Sequence, residues 1–167
     1  PDPLWSRGLG DVYKRQKEGG AITILNPAPA QPLGENILRL CDFVTPNEIE
    51  AEQITGIPVK SVSDAEVAAD KLLEKGASAA VITLGEQGAL FKDSKQIIHQ
   101  PSFQVGPIVE TTGAGDAFNG GLAVALAEEM PIDKALRFAC ATASISVTRP
   151  GTAPSMPDRN EIDTLLT

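Results

Sequence analysis

Residues Glu110-Thr-Thr-Gly-Ala-Gly-Asp-Ala-Phe-Asn-Gly-Gly121 join an apolar, β-leaning run, Phe103 to Val109, to a helical pattern. Ala114, Ala117, Phe118, Gly121, Leu122 and Ala125 recur at the spacing of one helix face. Thr111 to Gly115 therefore reads as a glycine-rich turn feeding a helix N-terminus. The first amides of a helix have no internal acceptor and the dipole is positive there, so such an end can hold a phosphate. Asp116 falls on the first turn, where its carboxylate would repel a bound anion. A base that takes a proton from an attacking hydroxyl is one good reason to place it there. A bare GxGD also fits a tight turn with an acidic residue favouring the helix start. The pair Gly120-Gly121 shifts the balance, because each glycine costs roughly 1 kcal/mol against alanine inside a helix. Something is expected to pack or bind closely against that backbone.

The rest of the chain supplies alternating strands and helices. Ala21–Leu25, Cys41–Thr45 and Ala79–Leu84 are short apolar runs of the kind found in buried parallel strands. The prolines of Asn26-Pro-Ala-Pro-Ala30 end the first run. Gly34 to Leu40 reads as a short helix. A second begins at Pro46-Asn-Glu-Ile-Glu and stops at Gly56. Ser63-Asp-Ala-Glu66 has the pattern of a capping box, before a stripe of Ala65, Ala68, Ala69, Leu72 and Leu73 that ends at Gly76. Ala89–Lys92 and Gln96–His99 form a hairpin pattern around Asp93-Ser94. A last long helix follows Pro131, with Ile132, Ala135, Leu136, Ala139, Ala143 and Val147 inward, and Asp158 to Leu166 closes the chain as a short helix. This order predicts an α/β fold with right-handed crossovers.

The 167 residues suit one domain of ordinary size, and 42% hydrophobic content excludes a disordered chain. A net charge of −8 argues against a general nucleic-acid or anionic-membrane binder. No apolar run approaches the roughly 20 residues of a membrane span, and no secretory signal is visible. Cys41 and Cys140 have no metal-ligand spacing, so reduced thiols and a cytoplasmic setting are expected. His99 stands alone and reads as structural. Pro1–Gln16 holds the single Trp5 and the single Tyr13 without clear periodicity. It reads as a leader foreign to the fold of residues 17–167, the alternative being a helix or strand without a recognisable pattern.

Thr112-Gly-Ala-Gly-Asp-Ala-Phe-Asn-Gly120 resembles the C-terminal signature of the ribokinase (PfkB) family of sugar kinases. The resemblance runs from about Lys17 to the end and covers the C-terminal half of such a kinase, with no counterpart of the glycine-rich sugar-binding motif of the other half. It implies a three-layer, Rossmann-like, mostly parallel sheet with helices on both faces, truncated on its N-terminal side. It also implies ATP-dependent phosphorylation of a sugar hydroxyl. Asp116 would be the base, and the amides of Gly113, Ala114 and Gly115 the anion hole. Asn47 and Glu50, three apart on one helix face, correspond to the family's NxxE motif, which orders Mg2+-bound water. By composition they equally suit a helix N-terminus.

Thr83, Leu84, Gly85, Glu86, Gln87 and Gly88 correspond to the segment that contacts ATP in the family, and Cys140 to a helix position bordering adenine. Glu110, Thr112, Ser146, Arg149, Gly151 and Ser155 fall where ribokinases bind a monovalent cation such as K+, often through carbonyls. Those kinases usually carry Asp at the position of Glu110. Asn26-Pro-Ala-Pro-Ala30 points within the family to D-ribose as substrate. Fructose, a keto-deoxy sugar acid or a nucleoside are the alternatives, as is an inactive nucleotide-binding fragment. A homodimer is expected of the full-length parent.

Overall fold

The structure, a computed structural model, describes residues 12–29 and 35–167. These residues form two compact units, one running through Ile82 and including Leu90–Ile97, the other comprising Thr83–Ala89 and Ile98–Thr167. Trp5 and Gly8–Asp11 lie outside the described residues.

The first unit opens with helix α1, residues 12–18. Part of the segment that reads as a leader is therefore helical, and the Tyr13 hydroxyl donates to the Ile24 carbonyl at 3.4 Å. Strand β1 (Ile24–Leu25), helix α2 (Glu35–Leu38), strand β2 (Phe43–Val44), helix α3 (Glu48–Thr55), helix α4 (Val62–Glu74) and strand β3 (Ala79–Thr83) follow. β1 pairs with β2 in parallel, Ile24 opposite Phe43, and β2 pairs with β3 in parallel, Val44 opposite Ala80. Asp42 locks the β1 edge, accepting from both Thr23 N and Thr23 Oγ1 at 2.9 Å. Leu38, Val44, Leu72, Val81, Ile82 and Leu90 are fully buried and form the core of this unit. The α4 stripe is buried at Ala65, Ala68, Ala69 and Leu72.

The cap of α4 differs from the expectation. Ser61, not Ser63, is the N-cap, and its hydroxyl accepts from Asp64 N at 3.2 Å. Asp64 reaches back to Lys60 N at 3.1 Å, doing the work assigned to Glu66. Ser61-Val-Ser-Asp64 and Ser63-Asp-Ala-Glu66 are overlapping cap patterns, and the earlier one is used, starting the helix two residues sooner.

Strands β4 (Ala89–Asp93) and β5 (Ile97–Gln100) complete a sheet of order β1-β2-β3-β4-β5. The sheet is mixed. Only a short turn separates β3 from β4, and parallel neighbours need a crossover of a dozen or more residues. The β4–β5 turn is closed by Asp93, whose carboxylate accepts from Lys95 N and Gln96 N at 2.7 and 2.8 Å. Phe103–Val109 is not a strand, contrary to its β-leaning composition. Val105, Ile108 and Val109 are exposed, and Val109 N donates to Val147 O, a helix-end carbonyl rather than a ladder partner.

The second unit contains three helices, α5 (Ala114–Ala127), α6 (Ile132–Ser146) and α7 (Arg159–Leu166). The α5 face predicted from spacing is buried at Ala117, Phe118, Gly121, Leu122 and Ala125. Helix α6 is buried more widely than one stripe. Besides Ala135, Leu136 and Ala139, it buries Phe138, Ala141, Thr142 and Ile145, because more than one side of it is packed. Gly121 is the reason α5 and α6 approach so closely. A Cβ built there would lie 2.6 Å from Thr142 Oγ1 and 3.1 Å from Ala139 Cα.

Candidate active site

The GAGD turn takes the form its glycines require. Gly113 is the N-cap of α5 with φ 82°, a left-handed conformation that glycine adopts without a Cβ penalty. Its side-chain position is pressed by Thr152, whose Cγ2 would stand 3.2 Å from an added Cβ. Ala114 N donates to Thr111 O at 3.1 Å and Ala117 N to Gly113 O at 2.9 Å, so the chain turns directly into helix. No side chain caps this end of α5. An added Cβ at Gly115 would meet nothing within 4 Å. The α5 N-terminus thus presents backbone to open space on its Gly115 side. Asp116 stands exposed on the same turn, and Asn119 Nδ2 donates to Gly115 O at 2.9 Å behind it.

Asp116 also stands at a cavity of about 330 Å³ within the second unit. Ala117, Gly120 and Val124 of α5, Phe138 of α6, Met156 and Ile162 supply its apolar lining. Arg159 forms part of the wall, with its guanidinium 5.1 Å from the Phe138 ring centre. Glu128 and Asp163 pair with that guanidinium and hold its pKa above the ordinary arginine value. Gly120 faces open space, with nothing within 4 Å of an added Cβ, so the two adjacent glycines serve different ends. Phe138, Met156 and Arg159 have no signal in the sequence, since only the packed helices bring them to Asp116.

Thr83–Gly88 forms a closed turn. Leu84 N donates to Gly88 O at 2.8 Å, and Gly85 and Gly88 take φ values of 51° and 91°. Gly85, Glu86 and Gln87 are exposed, while Gly88 is pressed so closely that an added Cβ would lie 2.0 Å from Gln100 O. His99 has the structural task expected of it, its Nε2–H donating to Gln87 O at 2.7 Å. Ser102 Oγ donates to Glu86 O at 2.6 Å, a second brace that sequence reasoning missed.

Cys140 is buried on α6, and burial pushes its thiol up to about 12. Burial raises Cys41 to about 11. Both cysteines are free. Thiolate is the reactive form. Neither thiol is therefore expected to react with Ellman's reagent in the folded protein at pH 8, and both should react on denaturation. Rapid reaction of either without denaturant would contradict their placement.

Of the residues assigned to a monovalent cation, Glu110, Thr112 and Gly151 come together. Glu110 Oε2 accepts from Gly151 N at 2.8 Å. That bond and one to the Thr112 side chain lower the Glu110 pKa below the ordinary glutamate value. Ser146 Oγ donates to Ala143 O and Ser155 Oγ to Thr152 O, at 2.8 and 2.6 Å. The Arg149 side chain is paired with Glu161 of α7. A carboxylate, hydroxyls and backbone carbonyls are the donors a hard cation takes.

Asn47 and Glu50 belong to the first unit and form a reciprocal capping box on α3. Glu50 N donates to Asn47 Oδ1 and Asn47 N to Glu50 Oε2, each at 2.9 Å. Among the described residues no three His, Cys, Asp or Glu side chains form a metal-ligating group. No helix among them is long and apolar enough to cross a membrane.

The sequence and fold of the chain are similar to those of known proteins. The family described as pfkB family carbohydrate kinase matches residues 1–159. A ribokinase of Haemophilus influenzae is 44% identical over 147 residues, covering 87% of this chain and 47% of the relative. A deoxyribokinase of Salmonella typhi is 38% identical over 151 residues, covering 90% of this chain and 49% of the relative. The solved structure of Arabidopsis thaliana ribokinase complexed with ribose and ATP superposes with a TM-score of 0.92 at 32% identity, covering 96% of this chain and 52% of that one. The chain therefore spans about half the length of the proteins it matches. With its family matched over nearly the whole sequence, the chain belongs to the pfkB family of carbohydrate kinases.

Proposed function

We propose that this chain is the nucleotide-binding and catalytic part of an ATP-dependent sugar kinase that phosphorylates D-ribose at its primary hydroxyl. One observation carries the reading: an uncapped α5 N-terminus with Gly115 facing open space and Asp116 exposed beside it. Asp116 takes the proton from the sugar hydroxyl, and the helix-end amides stabilise the charge that develops on the transferred phosphoryl oxygens. Because Ala114 N already donates to Thr111 O, the anion draws chiefly on the amides that follow it. Phosphoryl transfer is catalysed mainly by positioning and electrostatics, so this sparse set of groups is enough.

ATP is the phosphoryl donor, with the Thr83–Gly88 turn, exposed at Gly85, Glu86 and Gln87, and the α6 surface near Cys140 as its other contacts. The Arabidopsis thaliana ribokinase complexed with ribose and ATP supports this choice. Mg2+ neutralises phosphate charge and prefers water and phosphate oxygens to a protein cage. Its water would be ordered through Asn47 Nδ2 and Glu50 Oε1, the atoms the capping box does not use. K+ would be held by carbonyls of the 146–155 loop with Glu110, supplying fixed positive charge near the turn. Small soluble substrates fit a chain of net charge −8 better than nucleic acid or an anionic membrane. A cytoplasmic protein, homodimeric in its full-length form, completes the proposal.

Deoxyribose is the competing substrate, favoured by the 38% identity to the Salmonella typhi deoxyribokinase. The test is ADP release with MgATP over a panel of ribose, deoxyribose, fructose, a keto-deoxy sugar acid and a nucleoside. It uses a chimera in which this chain replaces the matching half of the Haemophilus influenzae ribokinase. Ribose is expected to give the highest kcat/KM. A preference for any other member would overturn the substrate assignment, and no ADP release with any would overturn the kinase reading.

A further inference from the structure

Glu110 lies three residues before Gly113, and its neighbourhood joins two backbone segments of the second unit at several points. Val147 O accepts from Val109 N at 2.8 Å and from Glu110 N at 3.2 Å. In return, Gly151 N donates to Glu110 Oε2 at 2.8 Å. The Thr112 side chain lies near enough to the same carboxylate to help lower its pKa. Gly151 turns with φ 85°, which sends the chain into Thr152. Thr152 is the residue seated on the anion-binding turn, its Cβ and Cγ2 within 3.3 Å of where a Gly113 Cβ would be. Gly113 carries no side chain that could hold its position, and no side chain caps α5. Beyond its own backbone bonds, Ala114 N to Thr111 O and Ala117 N to Gly113 O, the turn is held by what packs on it from outside.

We infer that Glu110 is a positioning residue for the anion-binding turn, clamping the Gly151–Thr152 backbone against Gly113 through its hydrogen bond to Gly151 N. The clamp works through a direct bond between side chain and amide. A glutamate spans the gap to the loop, whereas an aspartate is one methylene shorter. Val147 O fixes one end of the 147–151 loop to the chain entering the turn, and the Glu110 carboxylate fixes the other. Thr152 then acts as a stop that prevents Gly113 from swinging out of its left-handed conformation. The turn and the Gly115 and Asp116 amides that follow it are held in place before any ligand arrives, so less ordering is left to be done on binding. The inference rests on the proposed role of the turn only where nucleotide affinity is concerned.

The test is amide hydrogen exchange on the 167-residue chain and its E110A, E110Q and T152G variants, with MgATP affinity measured in parallel. Glu110→Ala removes an acceptor from a charge-assisted hydrogen bond. Exchange should rise about tenfold or more at Gly151 and at Ala114 and Ala117, whose amides are bonded to Thr111 O and Gly113 O, while amides of α6 from Ala139 to Ile145 stay as they were. Glu110→Gln keeps an acceptor oxygen at the same reach and should stay within about threefold of the unaltered chain. Thr152→Gly should speed exchange at Ala114 and Ala117 with Gly151 still protected, and it reports on the clamp even if Glu110→Ala does not fold. ATP affinity should fall in Glu110→Ala and return in Glu110→Gln. Unchanged exchange at Ala114 and Ala117 in both Glu110→Ala and Thr152→Gly would overturn the clamp, as would a uniform rise that includes α6. Failure of the unaltered chain to bind ATP would count against the phosphate site, and the exchange data would still decide on Glu110.

Discussion

Asp116→Asn lowers kcat for sugar phosphorylation by about 10²–10⁴-fold, the range expected when a general base is lost. The affinity for MgATP changes by less than about threefold, since uncharged asparagine keeps the shape of the helix turn and removes only the proton acceptor. The split follows from the geometry. Asp116 is exposed on the first turn of α5, and its side chain makes no capping bond to that helix end. A carboxylate beside a phosphate site weakens anion binding if anything, so its removal should not weaken nucleotide binding. The measurement is steady-state kinetics together with calorimetric titration on the chimera with the Haemophilus influenzae ribokinase half. Loss of ATP binding with turnover per bound nucleotide preserved would assign Asp116 to binding and refute its role as base.

Gly121→Val lowers the thermal midpoint by roughly 6–12 °C, whereas Gly120→Ala leaves it unchanged or raises it by a few degrees. The two glycines are adjacent and identical in sequence terms, but only Gly121 is pressed by α6. Thr142 Oγ1, Thr142 Cβ and Ala139 Cα would lie at 2.6, 3.0 and 3.1 Å from an added Cβ there. Two of these are backbone or branched-carbon atoms that cannot step aside, so overpacking costs about 3 kcal/mol. Gly120 meets nothing within 4 Å, and alanine there recovers up to about 1 kcal/mol of helix propensity. Calorimetry on the 167-residue chain separates the two. Equal effects would mean that α5 and α6 do not pack through Gly121.

The contrast shows what the sequence made legible. Spacing along α5 identified its buried face, and the apolar runs located β1 to β3, because burial periodicity is written locally. Pattern alone could not say which glycine was packed and which was open, since that depends on Thr142 and Ala139 about twenty residues away. The cap of α4 was misplaced by two residues because Ser61 and Ser63 offer overlapping signals, and only the backbone chooses. Phe103–Val109 has strand composition but no ladder partner among the described residues, so propensity failed there for want of pairing. The wide burial of α6 was invisible to a one-stripe reading. At the candidate site, Asp116 and the glycines were readable from the GAGD motif. Thr152 beneath Gly113 and the bond from Gly151 to Glu110 join segments about forty residues apart and carry no local signature.

The most direct measurement is a titration of the 15N-labelled chain with MgATP, following backbone amide shifts. The account predicts the largest movements at Gly115 and Asp116, with further shifts along Thr83–Gly88. Large shifts confined to α7, with the amides of Gly113 to Asp116 unmoved at saturation, would contradict it.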